Sequence, residues 1–97
     1  MLWPMIDKTA VIATVLAKLR KLPSDCFLDL QTFKKDRSVT IVKMADDRLL
    51  VIENGYKQDK FEVNTAKLKK VLKTLLKKEF PRSNKVRLYS GIYKPVK

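Results

Sequence analysis

The stretch from Asn64 to Phe80, NTAKLKKVLKTLLKKEF, followed by Pro81, constrains this chain more than any other. Leu68, Val71, Leu72, Leu75, Leu76 and Phe80 recur at three- and four-residue spacing, the period of one helical face. Both ends are punctuated. Asn64 is placed to cap the first free amides, Val63 and Leu68 occupy the N′ and N4 positions of a hydrophobic staple, and Pro81 blocks continuation. Lysines in the last turns favour the negative end of the helix dipole. Lys69, Lys70, Lys73 and Lys77 gather on one flank and around the back, with Lys67 and Lys78 on the other side. A helix of this kind needs an apolar surface to cover, and the rest of the chain must supply it.

Ahead of it, Met1 to Ile6 is an extended apolar lead-in around Pro4, with Trp3 as a residue to cover a core edge or anchor an interface. Asp7 is expected to cap a first helix ending near Leu22 before Pro23. Ile12, Val15, Leu16 and Leu19 form its buried stripe, and Ile6 and Val11 its staple. Four strand candidates follow. Cys26 to Phe33 places Cys26, Leu28 and Leu30 on one face, with Asp29 and Gln31 on the other. Ser38 to Met44 is rich in β-branched residues, Arg48 to Glu53 is the third strand, and Lys57 to Val63 offers Phe61 and Val63 to the core.

Asn54-Gly55 is the strongest hairpin signal. A two-residue loop pairs Phe61 with Arg48 and a four-residue loop pairs it with Leu50; both put Phe61 on the face of Leu50 and Ile52. After the lysine-rich helix, Lys85 to Tyr93 reads as a fifth strand. Val86, Leu88 and Ile92 lie on one side and Arg87, Tyr89 and Tyr93 on the other, with Gly91 as a bulge candidate. The expected fold is a single α+β domain over residues 1–97, in two layers. Its order is helix, four-strand antiparallel meander, helix, strand, with both helices on one face of the sheet. Were the last strand to enter parallel to the fourth, the crossover through the lysine-rich helix would be right-handed.

Composition removes several classes of function. With 97 residues, the chain can bury roughly 65% of its unfolded surface without staples. A lone Cys26 leaves no intrachain disulfide, and with no histidine the common zinc sites are closed as well. On an apolar strand face, Cys26 reads as an inert core thiol. The N-terminal apolar stretch Ala10 to Ala17 is too short to span a bilayer and no basic segment precedes a cleavable one, so a cytoplasmic setting is expected. Gly55 and Gly91 are the only glycines, too few for a phosphate loop. Asp46 or Asp47 with Gln58 and Lys60 makes a loose acid–Gln–x–Lys pattern found in some nucleases, but adjacent aspartates in a turn have an ordinary backbone explanation. No enzymatic activity, cofactor or metal is expected.

Charge is the remaining functional signal. Of the net +12, residues 1–63 contribute +2 and residues 64–97 contribute +10, with Glu79 the only carboxylate in the latter segment. Such polarity points to an anionic partner. Lys69, Lys73 and Lys77 fall on one i, i+4 row, with Lys70 beside it and Arg82, Lys85 and Arg87 extending the basic region; Tyr89 and Tyr93 are stacking candidates for unpaired bases. The expected function is weak, sequence-nonspecific binding of DNA or RNA. Set against it are a structural or protein-interaction module whose lysines serve solubility, with Trp3, Tyr56 or a sheet edge as contact, and a basic amphipathic helix for a membrane surface or a partner's groove. The last requires the leucine face to be exposed, although a chain of this size needs those leucines for its core.

Overall fold

The computed structural model describes residues 5–32, 37–45, 47–55, 58–80 and 85–92. In chain order its elements are β1 (Met5–Asp7), a 3-10 turn (Lys8–Ala10), α1 (Val11–Lys21), β2 (Cys26–Gln31), β3 (Ser38–Ala45), β4 (Arg48–Asn54), β5 (Gln58–Val63), α2 (Thr65–Glu79) and β6 (Lys85–Ile92). The strands form one sheet in the order β1-β6-β2-β3-β4-β5, and every neighbouring pair is antiparallel. The α+β class, the meander and the helix–strand finish agree with the sequence reading. The apolar lead-in acquires a definite role where it is described: β1 is a short strand along the edge of β6. Residues Trp3, Phe33, Asp46, Tyr56, Arg82 and Tyr93 lie outside the described residues.

One face of the sheet carries the core. Leu28 and Leu30, Val39 and Ile41, Leu49 and Val51, and Val86 and Leu88 are buried together with Val11, Val15 and Leu19 of α1. Leu68, Leu72, Leu75, Leu76 and Phe80, from α2 and its C-cap, complete the cluster. Both helices therefore cover the same face. Ile12, Leu16, Leu22, Val71, Phe61 and Val63 pack around the rim. Among the described residues no helix covers the opposite face; there Phe27, Leu50 and Ile52 are half-buried, while Val42 is fully buried among strand neighbours.

The hairpin register corrects the sequence reading. Asn54 pairs with Gln58, leaving three residues in the loop, and Phe61 pairs with Val51, not with Arg48 or Leu50. An odd loop length reverses the parity that both even loops share, and a one-residue shift moves every side chain to the other face. Phe61 thus joins Leu49 and Val51 in the core layer, and Leu50 and Ile52 face away from the helices.

Two local expectations also change. Gly91 sits in regular register opposite Phe27, so it marks no bulge. Its missing side chain is filled by the Phe27 ring, whose Cε2 and Cζ would lie 3.0 Å from a Cβ there. The register shift falls between Lys43 and Ala45 of β3, near exposed Met44. Asp7 does not cap the first helix: neither the 3-10 turn nor α1 has a side-chain cap, and the Asp7 carboxylate pairs instead with Lys85. The strand pairing of β1 with β6 sets these two residues opposite each other, so the nearby ammonium competes successfully with the helix amides. Ile12 and Leu16 are consequently at the rim, and Val11 takes the first buried position.

The α2 boundaries agree with their sequence signals. Asn64 accepts from the Lys67 amide at 2.8 Å, and Phe80, just before Pro81, is the C-cap. Leu72 is fully buried within the core cluster. Leu72→Ala is expected to reduce the unfolding free energy by about 2–5 kcal/mol in chemical denaturation, whereas a loss below about 0.5 kcal/mol would contradict this packing.

Candidate functional site

The outer surface of α2 is built by subtraction. Once Leu68, Leu72, Leu75 and Leu76 turn inward, Lys67, Lys69, Lys70, Lys73, Lys77 and Lys78 are left exposed. Glu79, the helix's only carboxylate, is buried at 1% exposure. It follows Leu75 by four residues and Leu72 by seven, which places it on the apolar face. The solvent face of α2 therefore carries positive charge with no intrahelical carboxylate against it. Among the described residues, Lys78 pairs with Glu53 at 3.2 Å, and the other five lysines of α2 make no ion pair.

Several other cations in the described structure are engaged. Arg48 pairs with Glu62 at 2.7 Å, and Lys85 with Asp7. Lys43 donates to the Leu19 carbonyl at 2.9 Å and Lys8 to that of Phe80, so each satisfies an acceptor at a helix C-terminus. The lysine row is not, and neither are exposed Lys18, Arg20, Lys21 and Lys60, which make no ion pair among the described residues.

Lys73 and Lys77 also line a groove of about 650 Å³ between the start of α1 and the second half of α2. Its other lining residues are Asp7, Lys8, Thr9, Ile12 and Leu76. Half-buried Ile12 provides apolar surface, to which Leu76, 4% exposed, adds little; Thr9 brings a hydroxyl and Lys8 a third cation. Lys8 and Thr9 had no place in the sequence-based site. Their proximity to α2 arises from the packing of separate elements, and no local pattern records it.

The structure does not gather all the expected contact residues. Lys69, Lys70, Lys73 and Lys77 share the exposed surface of α2, and Lys85 is close to the groove through Asp7. Arg87 and Tyr89 alternate with buried Val86 and Leu88, so they occupy the helix-free face of the sheet, behind the core. A strand lying on α2 does not reach them without rounding the edge of the molecule. The acid–Gln–x–Lys pattern is likewise dispersed. Asp47 accepts from the Thr65 amide at 3.0 Å at the start of α2, and hydrogen bonding to the Thr65 side chain, then to its amide, lowers the Asp47 pKa, whereas Gln58 begins β5 at the strand's far end. Among the described residues no group of three or more metal-ligating side chains occurs, and no helix is long and apolar enough to cross a membrane.

A second perturbed acid lies at the opposite end of α2. Glu53 of β4 is 3% exposed and adjoins Glu79; Lys78 reaches it from α2, and Asp59 stands opposite it on β5. Arg37 donates to the Glu79 main-chain carbonyl at 3.2 Å. Gly55 leaves room for the pair, because a Cβ there would collide with Glu79 Oε1. Burial pushes the Glu53 carboxyl above its ordinary range, the Glu79 carboxyl adds to this, and Lys78 opposes it without reversing the direction. Neither glutamate stands out in the sequence as a functional candidate, although Glu79's position on the apolar face was visible there.

Compared with protein-family models, curated proteins and solved structures, the chain has no significant match, so its own geometry carries the functional reading.

The folded protein holds the Glu53 proton more tightly than the unfolded chain does. Its contribution to stability is therefore complete below the ordinary glutamate range and is lost as pH rises through the folded-state value. Glu53→Gln keeps the shape of the protonated acid. Thermal melts across a pH series are expected to show a shallower decline from mildly acidic to neutral pH in this variant than in the wild type. Parallel curves would show that Glu53 retains no extra proton on folding.

Proposed function

We propose that the chain binds nucleic acid without reading its sequence, through phosphate contacts along α2. The observation that carries this reading is the unopposed charge of the helix: five exposed lysines lack ion-pair partners among the described residues, and the only carboxylate of α2 is turned into the core. Lys69, Lys73 and Lys77 are spaced by one helical turn each, about 6 Å along the axis. Two nucleotide steps along one strand of a duplex cover about 6.8 Å, so the row is of a scale to follow a backbone. Flexible lysines meet phosphates as point charges, which positions a strand without identifying its bases.

The burial of Leu68, Leu72, Leu75 and Leu76 bears on the membrane or partner-groove reading, because their apolar face is already used by the core. A protein-interaction role has a more specific basis in the helix-free face, where Phe27, Leu50 and Ile52 are half-buried on the same side of the sheet as Arg87 and Tyr89. On that reading the lysines serve solubility and make no nucleic-acid contacts.

The two are separated by replacing Lys69, Lys73 and Lys77 together with Gln, which removes three charges while retaining good helix formers. Fluorescence anisotropy over a salt series should give a linear fall of log affinity with log salt, by about 0.7–0.9 per neutralised phosphate. The triple variant is expected to bind more weakly, with a slope shallower by about 2–3. Identical affinities and slopes for the two proteins would leave the lysine row as a solvated face.

A further inference from the structure

The groove beside the lysine row has features that phosphate binding alone does not require. Its volume, about 650 Å³, is within the range of sites for small organic ligands, about 300–1,000 Å³. Apolar Ile12 and Leu76 lie between polar rims: Lys73 and Lys77 on α2, and Lys8 and Thr9 on the 3-10 turn. Lys8 is fixed by its bond to the Phe80 carbonyl, and Asp7, the only carboxylate among the groove's described lining residues, is neutralised by Lys85. Cations, a hydroxyl, one acceptor and an apolar surface are the complement of a nucleotide, which has a phosphate, a sugar and an aromatic base with polar edges.

We propose that this groove receives one unpaired nucleotide of the strand bound along α2, making single-stranded nucleic acid the preferred ligand. This rests on the lysine-face reading above and adds strand selectivity to it. Lys73 and Lys77 belong to both the row and the groove, so a backbone following Lys69 to Lys77 passes the groove mouth. There the base lies against half-buried Ile12 and the lysine stems while its phosphate remains between the two lysines, and Thr9 and Asp7 are available to the sugar or the base edge. A duplex presents only stacked, paired bases, and extracting one costs a few kcal/mol.

The sign of the strand preference is diagnostic. A purely electrostatic lysine face favours the duplex, whose charge density and counterion release are higher. Seating an unpaired base reverses the order.

The test measures fluorescence anisotropy with labelled oligothymidine and a duplex of equal length at the same low salt, for wild type, Lys69→Gln and Thr9→Glu. Thr9 is exposed, and a carboxylate at a helix start is electrostatically tolerated, so Thr9→Glu is expected to keep its fold. The wild type should prefer the single strand by about threefold or more, because a duplex can lie along the lysine row with its bases stacked but forfeits the groove contact. Lys69→Gln, outside the groove, should weaken both ligands by similar factors and leave the preference intact. Thr9→Glu should weaken the single strand more than the duplex and reduce the preference.

Equal affinities, or a tighter duplex, would overturn the groove proposal and leave the lysine-face reading standing. A strand preference that Thr9→Glu leaves unchanged would also overturn it. Binding of neither ligand by wild-type protein would remove both readings together.

Discussion

The return of the chain between β5 and β6 is the constraint on which the rest of the structure depends. Four antiparallel pairings separate these strands in the sheet, so they run in the same direction without being neighbours. The chain must travel back by a full strand length before β6 can begin. The 15 residues of α2 span about 22 Å, close to the roughly 23 Å of the seven-residue β4. Contacts at its two ends agree with this path. Thr65 meets Asp47 at the β3–β4 turn, whereas Glu79 meets Glu53, Gly55 and Arg37 at the other end of the sheet. The helix is fitted to the sheet by length as well as by apolar surface.

That return path also settles the distribution of charge. A helix laid along a sheet buries one face and exposes the other, and here the inward face takes the leucines together with Glu79. The remaining carboxylates near its ends are engaged. Asp47 caps the start of the helix, and Glu53 is held between Glu79 and Lys78. The lysine row is thus unopposed because packing and capping have used the nearby acids. Surface charge and stability are linked at this element, since the core that holds α2 in place also determines which of its side chains meet solvent.

The helix termini divide the cations into two groups. Lys8 and Lys43 satisfy main-chain acceptors at the ends of α2 and α1, which keeps them close to the framework. Lys69, Lys73 and Lys77 have no such ties among the described residues and remain available to a ligand. Where the groups meet, in the groove of Lys8, Lys73 and Lys77, fixed and free cations face one another across the apolar pair Ile12 and Leu76.

By itself, the sequence determined the parts that depend on local periodicity and local chemistry. Asn64, the leucine spacing and Pro81 specify α2 because capping and amphipathicity act within a few residues; the alternation through β2 and β6 placed Leu28, Leu30, Val86 and Leu88 inward for the same reason. Tertiary structure decided what depends on partners distant in sequence. The three-residue hairpin exchanged the faces of Leu49 to Ile52 relative to Phe61, and the β1–β6 pairing drew Asp7 away from α1 towards Lys85. Only the packing of α1 against α2 joined Lys8 and Thr9 to Lys73 and Lys77, and only the core between the layers separated Tyr89 and Arg87 from them. A charge pattern read along a chain reveals which helix is basic; which neighbours share its surface is fixed by strand order and register, through contacts between segments far apart in the sequence.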